Sequence, residues 1–307
     1  MASMQTNSNL PTWQAELFVP DAGVLTECPR WDERTGRLLW VDIYGGTISS
    51  CDAAGRDRRS MSVGQPIGSF APRASDGYVL ALESGLALSG ADASTWTPVG
   101  EQRRLPSRLR SNDGACDARG RFFAGTMEHD EEPHAGAVFR LDPAGPVGAA
   151  PDPVRVIEGS SVSNGIGWSP DSTRLYYADS AELRVDVFDY DLGTGALSGR
   201  RPLASYQMSD GYPDGLTVDA EGCVWVAFWD GGVVRRVAPD GTLVGVVRVP
   251  VDRVSSCTFG GPDLTDLFIT TARYQMTAER LREQPASGSI FRCRPGPAGR
   301  PVDRYAG

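Results

Sequence analysis

The sequence predicts an all-β protein, a six-bladed β-propeller folded as a single domain. Three observations carry this: short apolar strand cores recur six times, their spacing is that of a four-stranded blade, and no long stretch shows a helical period. The cores are RLLWVDI (37–43), GYVLAL (77–82), RFFAGT (121–126), RLYYADS (174–180), CVWVAF (223–228) and DLFITT (266–271). Measured between Leu38, Tyr78, Phe122, Leu175, Val224 and Leu267, successive gaps are 40, 44, 53, 49 and 43 residues, against roughly 40 to 50 for a propeller blade. Helical repeats would show a 3.6-residue apolar period instead. A tandem of β-sandwiches is the alternative, and it has no reason to keep one interval along the whole chain.

Taken in order, the first residues, MASMQTNSNL, are polar, and 1–14 is expected to be a flexible tail ahead of a propeller spanning 15–307. Each core is apolar at successive positions, so both faces are to be buried, as in a strand packed between neighbouring blades. Weaker strands fill the intervals, among them AVFRLD (137–142), VDVFDYD (185–191) and VVRRVAPDG (233–241), and only MTAERLREQ (276–284) reads as a short helix. With 36 glycines and 22 prolines among 307 residues, the chain has turn formers enough for many short strands.

Composition excludes several chemistries. All 30 basic residues are arginine, so Schiff-base catalysis, a Walker lysine and a Ser/Lys dyad are ruled out. The formal charge of −9 argues against a nucleic-acid binder. The two histidines, His129 and His134, both lie in the acidic stretch EHDEEPH, expected to be a solvated loop, and no GxSxG elbow accompanies them. No apolar run approaches the ~20 residues of a membrane helix. Six cysteines, at 28, 51, 116, 223, 257 and 293, show no CxxC pairing and follow no export signal. Reduced thiols in a cytoplasmic protein are therefore expected, with no obligate protein partner evident.

The repeat register also locates a site. Ten or eleven residues before each marker stand Glu27, Gly68, Asn112, Asn164, Asp214 and Ser256, the positions that open each blade's innermost strand. In a propeller such equivalent positions converge on the central channel. Three read alike, as SNDG (111–114), SNGI (163–166) and PDGL (213–216). Asn-Gly and Asp-Gly also make hairpin turns, but three at one register, together with Glu27, favour a site. Glu27, Asn164 and Asp214 form a hard oxygen set suited to one divalent ion, Ca²⁺ or Mg²⁺ or Mn²⁺, with Zn²⁺ kept as a further alternative. Without a cation, two carboxylates converging in a dry channel would repel, and one would protonate.

These residues resemble the regucalcin (senescence marker protein), gluconolactonase and luciferin-regenerating enzyme family. The resemblance runs from TECPRWDERTGRLLWVDI through RSNDGACDARGRFFAGTM, SNGIGWSPDSTRLYYADS, VDVFDYDLGTGALSGRR, PDGLTVDAEGCVWVAFWDGG and SSCTFGGPDLTDLFITTAR to RYAG. It implies a six-bladed propeller, one divalent metal on Glu27, Asn164 and Asp214, and a substrate pocket lined by Arg110 and Asn112. It also implies a carboxylate for substrate hydroxyls, falling on Asp130 without a gap or on Glu128 with a shift. Where the family signature reads GESP, this chain has Thr26, Glu27, Cys28 and Pro29, which puts a thiol beside a ligand position. Tyr212 and Trp229 are candidates for an aromatic wall, although blade packing also accounts for Trp229.

The expected activity is metal-dependent hydrolysis of a lactone or related ester, most closely a sugar lactone. Its expected steps are polarisation of the ring carbonyl by the dication, attack by water with Asp214 as general base, and orientation of substrate by Arg110 and Asn112. Two alternatives stay open: a calcium-binding regulator without catalysis, and a propeller enzyme repurposed for a biosynthetic ester or amide.

Overall fold

The computed structural model describes residues 10–100, 105–144 and 152–307. Most of the expected tail, and Arg103 and Arg104, lie outside the described residues. The strands form six sheets, five of four strands and one of five. Blade one consists of Thr26–Asp32, Arg37–Asp42, Thr47–Asp52 and Arg59–Ser62, paired antiparallel in chain order. Blades two, three and four repeat this plan from Ile67–Pro72, Leu109–Cys116 and Ser163–Trp168, and blades five and six from Tyr212–Val218 and Val254–Gly260. The first strands of successive blades touch one another round a closed ring, with Val254–Gly260 against Thr26–Asp32.

All six cores are second strands of their blades. Their burial explains the apolar runs: Leu38 to Val41, Phe122 to Ala124 and Val224 to Phe228 are buried at every position. Trp40, Phe122, Tyr176, Trp225 and Phe268 are among the largest fully buried side chains. The short helix is Ala278–Glu283, started by Thr277, whose hydroxyl accepts the Arg280 N–H at 3.2 Å.

N-terminal residues close two blades. Glu16–Val19 supplies the outer strand of blade six, pairing with Ile290–Cys293. Thr12–Gln14, in the stretch expected to be tail, pairs in parallel with Leu243–Arg248 as a fifth strand of blade five. At the opposite end of the chain, Arg300–Asp303 lines the channel beneath the first strands, and Arg304 ion-pairs with Asp32. Tyr305 is fully buried and donates its hydroxyl to the Asp142 carbonyl at 3.1 Å.

Every first strand carries a bulge, and in each blade the register position lies in or at the edge of it. Pairing shifts between Glu27 and Arg30, Ile67 and Ser69, Ser111 and Gly114, Ser163 and Ile166, Pro213 and Leu216, and Val254 and Ser256. Bulges re-aim side chains that a regular ladder would send alternately to either face. The glycines after Asn164 and Asp214 are therefore not hairpin glycines, and neither adopts left-handed backbone. They permit close approach: a Cβ on Gly165 would stand 2.8 Å from the Asp214 carbonyl oxygen, and one on Gly215 would stand 2.1 Å from Ser256 Oγ. The Asn-Gly and Asp-Gly pairs thus mark where neighbouring inner strands touch.

All six cysteines are free and buried. No helix among the described residues is long and apolar enough to cross a membrane.

Candidate functional site

At one mouth of the channel lies a cavity of about 320 Å³ lined by Glu27, Arg110, Asn112, Asn164 and Asp214, with Tyr212 and Trp229 beside them. Sequence-remote residues from blades one, three, four and five thus meet at one place. Glu27, Arg110, Asn112, Asn164 and Asp214 are all at least nine-tenths buried.

Hydrogen bonds fix the two amides. Asn112 Oδ1 accepts from Arg110 Nη1 at 2.7 Å, and its Nδ2 donates to the Ser163 carbonyl at 2.8 Å and to Asn164 Oδ1 at 3.1 Å. Asn164 Nδ2 donates to Ser180 Oγ at 2.8 Å, and Ser180 Oγ donates to the Pro213 carbonyl at 2.7 Å. Arg110 also lies over the ring of Tyr44 at 5.9 Å, and no carboxylate forms an ion pair with it among the described residues.

The carboxylates are less well satisfied. Glu27 Oε2 accepts the Cys28 N–H at 3.1 Å, while Asp214 Oδ1 is buried with no hydrogen-bond partner. Burial, then the nearby charge of Asp113, pushes Glu27 up to about 8. Burial, then the charges of Glu27 and Asp113, raises Asp214 well above the ordinary carboxylate range. Asp113, whose own carboxyl is raised by burial, accepts only the Gly114 N–H, at 2.7 Å. It is a third buried acid that the repeat register passed over, one residue beyond Asn112. Among the described residues, no group of three or more His, Cys, Asp and Glu is placed to hold a metal ion; the expected set has two carboxylates and an amide.

Neither carboxylate expected to face substrate hydroxyls reaches the cavity. Glu128 turns into its own loop, where Oε2 accepts the N–H groups of Asp130 at 3.1 Å and Glu132 at 3.4 Å, and Asp130 is exposed. The loop carboxylate on the cavity wall is Glu131, held there by left-handed backbone at φ 60°. Both histidines are exposed in that loop. Cys28, also left-handed at φ 49°, is buried and lines the channel below the site, with Sγ 3.8 Å from the Phe70 carbonyl. Burial pushes its thiol up to about 11, the opposite of an activated nucleophile.

The register also did not select Arg253 and Tyr274. Both line the cavity, from the start of blade six and from the segment after Asp266–Thr271. Arg253 stands 4.9 Å over the Trp229 ring, contacts Asp230 at 3.3 Å and donates to the Tyr274 carbonyl. Tyr274 stacks on Tyr44 with ring centroids 4.6 Å apart.

A closed six-blade ring with convergent acids and amides at one channel mouth defines an axial-site β-propeller. Residues 25–273 match the SMP-30/Gluconolactonase/LRE-like region, and the chain belongs to that family. It is 39% identical to regucalcin of Xenopus laevis over 284 residues, covering 90% of this chain and 93% of that one. The structure is similar to a calcium-binding regucalcin from Agrobacterium tumefaciens, with a TM-score of 0.86, 25% identity and coverage of 96% and 99%. It is also similar to luciferin-regenerating enzyme, with a TM-score of 0.81, 27% identity and coverage of 93% and 96%.

Proposed function

We propose that the protein is a divalent-metal-dependent hydrolase that opens lactones, the sugar lactones implied by the gluconolactonase resemblance among them. The observation that carries this reading is the pair of buried carboxylates, Glu27 and Asp214, sharing one cavity with Asn164 and having no ion-pair partner among the described residues. Two such acids cannot both ionise cheaply in a dry site. The donor set fits a dication: hard oxygens, a net charge of −2 when ionised, and a buried Asp214 Oδ1 left without a partner. Glu27, Asn164 and Asp214 would hold it.

A dication held by Glu27, Asn164 and Asp214 would supply Lewis acidity for the lactone carbonyl. Asp214 would take the proton of the attacking water and return it to the ring oxygen as the acyl C–O bond breaks, giving the open hydroxy acid. Arg110 Nε is buried without a hydrogen-bond partner, so the guanidinium retains a donor for substrate oxygen. Asn112, locked between Arg110 and Asn164, sets the distance between the substrate clamp and the ligand set.

A second reading, a calcium-binding regulator without catalysis, draws support from the description of the Agrobacterium relative as a calcium-binding protein. A cavity of about 320 Å³ with an arginine and an aromatic wall is more than ion retention requires. Turnover of a lactone panel with and without chelator separates the two. Chelator-sensitive hydrolysis supports the hydrolase; tight Ca²⁺ binding without turnover of any lactone or ester supports the regulator.

A further inference from the structure

The cavity is two-sided. Its inner end is polar, with Glu27, Asn112, Asn164 and Asp214 supplied by the bulges of the first strands. Two residues earlier in the chain stand Leu25, Arg110, Val162 and Tyr212, all of them lining the same cavity one tier nearer the mouth. Cross-strand pairing places Met127 opposite Arg110 and Trp229 opposite Tyr212. Ile43 and Tyr274 join this tier, with Glu131, Arg253 and Gln275 as the polar residues on the same wall, and Trp229 and Tyr274 both pack against the apolar cluster that includes Leu25 and Ile43.

The outer tier is therefore built mostly of aliphatic and aromatic side chains, with Arg110 as its inward cation. Its aromatic side is held rigidly, because Arg253 stacks on Trp229, bonds to Asp230 and donates to the Tyr274 carbonyl. A polyhydroxylated lactone carries a hydroxyl on nearly every ring carbon. Each one buried against Leu25, Ile43, Met127 or Val162 would lose its water partners and gain none. Glu128 and Asp130 do not reach the cavity; of the polar groups on its outer wall, Arg253 is engaged with Asp230 and the Tyr274 carbonyl and Gln275 Nε2 with the Tyr274 hydroxyl, which leaves the Glu131 carboxylate to compensate.

Resting on the lactonase reading and narrowing it, we infer that the substrate is a lactone with a compact polar reacting end and an apolar or aromatic substituent seated against Trp229 and Tyr274. The carbonyl end lies toward the polar floor, and the substituent fills the outer tier, where burial of apolar surface supplies binding energy.

The test uses metal-loaded protein and compares D-glucono-δ-lactone with dihydrocoumarin, a benzo-fused δ-lactone, and with δ-decanolactone, an alkyl one. We expect kcat/KM for both apolar lactones to exceed that for gluconolactone at least tenfold. In Trp229→Ala that selectivity ratio falls about tenfold. Tyr274→Ala, at the cavity rim, gives a second and independent reading of the same ratio should the tryptophan variant fold poorly. Equal or better kcat/KM for gluconolactone overturns the inference and leaves the lactonase reading standing, as does a selectivity ratio unchanged in both variants. Absence of hydrolysis of all three lactones with Ca²⁺, Mg²⁺, Mn²⁺ or Zn²⁺ overturns both.

Discussion

Asn112 Nδ2 lies 3.1 Å from Asn164 Oδ1, so a residue expected to touch substrate is hydrogen-bonded directly to one expected to hold the ion. The chain of contacts continues on both sides. Arg110 Nη1 reaches Asn112 Oδ1 at 2.7 Å, and Asn164 Nδ2 reaches Ser180 Oγ at 2.8 Å. Each amide is thereby held in one orientation, with Asn164 Oδ1 turned toward the centre of the network.

Outer contacts of this kind typically change metal affinity ~10 to 100-fold when removed. Asn112→Ala and Ser180→Ala are accordingly expected to weaken Ca²⁺ or Mn²⁺ binding within that range, measured by titration calorimetry, although neither is a ligand. Arg110→Ala should retain the ion and raise KM by about tenfold, the scale of one lost charge-assisted hydrogen bond. Unchanged affinity in both Asn112→Ala and Ser180→Ala would mean that Asn164 is held by its backbone alone.

Stability should depend on pH in a way that the dication removes. Glu27 is raised to about 8 in the folded protein, and Asp214 and Asp113 are raised with it. Between the unfolded carboxylate range near 4.5 and about 8, the metal-free folded state holds protons that the unfolded chain has released. Unfolding free energy then falls as pH rises through that window. The metal-free Tm is expected to be lower at pH 8 than at pH 5, and saturating Ca²⁺ should raise it most at pH 8. Asp303, pushed up to about 6 by burial beside the C-terminal segment, adds a smaller fall of the same sign that the ion does not cancel. A metal-free Tm independent of pH would show that these acids are neutralised in some other way.

Much of the candidate site is readable from the repeat because its convergent residues sit where the repeat is strictest. A second strand buried on both faces must be apolar at successive positions, so Leu38, Phe122 and Val224 announce themselves, and the first strand lies a fixed distance upstream. Glu27, Asn112, Asn164 and Asp214 follow from that register. Glu131 does not, because its position depends on left-handed turns at Glu131 and His134 in a loop with no period. Arg253 and Tyr274 come from connections that vary between blades. Thr12–Gln14 does not stand out from a tail because a three-residue strand whose one apolar side chain is Trp13 carries no alternation, and its partner lies at Val246–Arg248.

The C-terminal segment yields a prediction about the scaffold. Tyr305 is fully buried, its N–H donates to the Pro72 carbonyl at 3.0 Å, and its hydroxyl reaches Asp142 in blade three. It therefore ties blade two to blade three from below the channel. Tyr305→Ala should cost ~3 to 5 kcal/mol, the usual range for truncating a large buried aromatic. Urea unfolding monitored by tryptophan fluorescence would register this; a loss below about 0.5 kcal/mol, the scale of an ordinary surface change, would mean that the segment is peripheral.

The most discriminating substitution is Asp214→Asn. It keeps the size of the side chain and one oxygen donor, removes a buried charge, and removes the proposed base. The change also removes an acid that burial and the charges of Glu27 and Asp113 hold protonated in the fold, so the metal-free variant should be more stable than the parent at pH 8 while binding Ca²⁺ more weakly. If Asp214 only holds the ion, raising the dication to saturation restores turnover. If it also takes the proton from water, kcat stays depressed by at least ~10² at saturating metal, the lower end of what a positioned base contributes. The comparison requires kcat at saturating lactone across a dication titration, with Glu27→Gln beside it as a ligand variant without a base role. We expect Glu27→Gln to recover with added metal and Asp214→Asn not to recover; equal recovery of both would assign the proton transfer to another group.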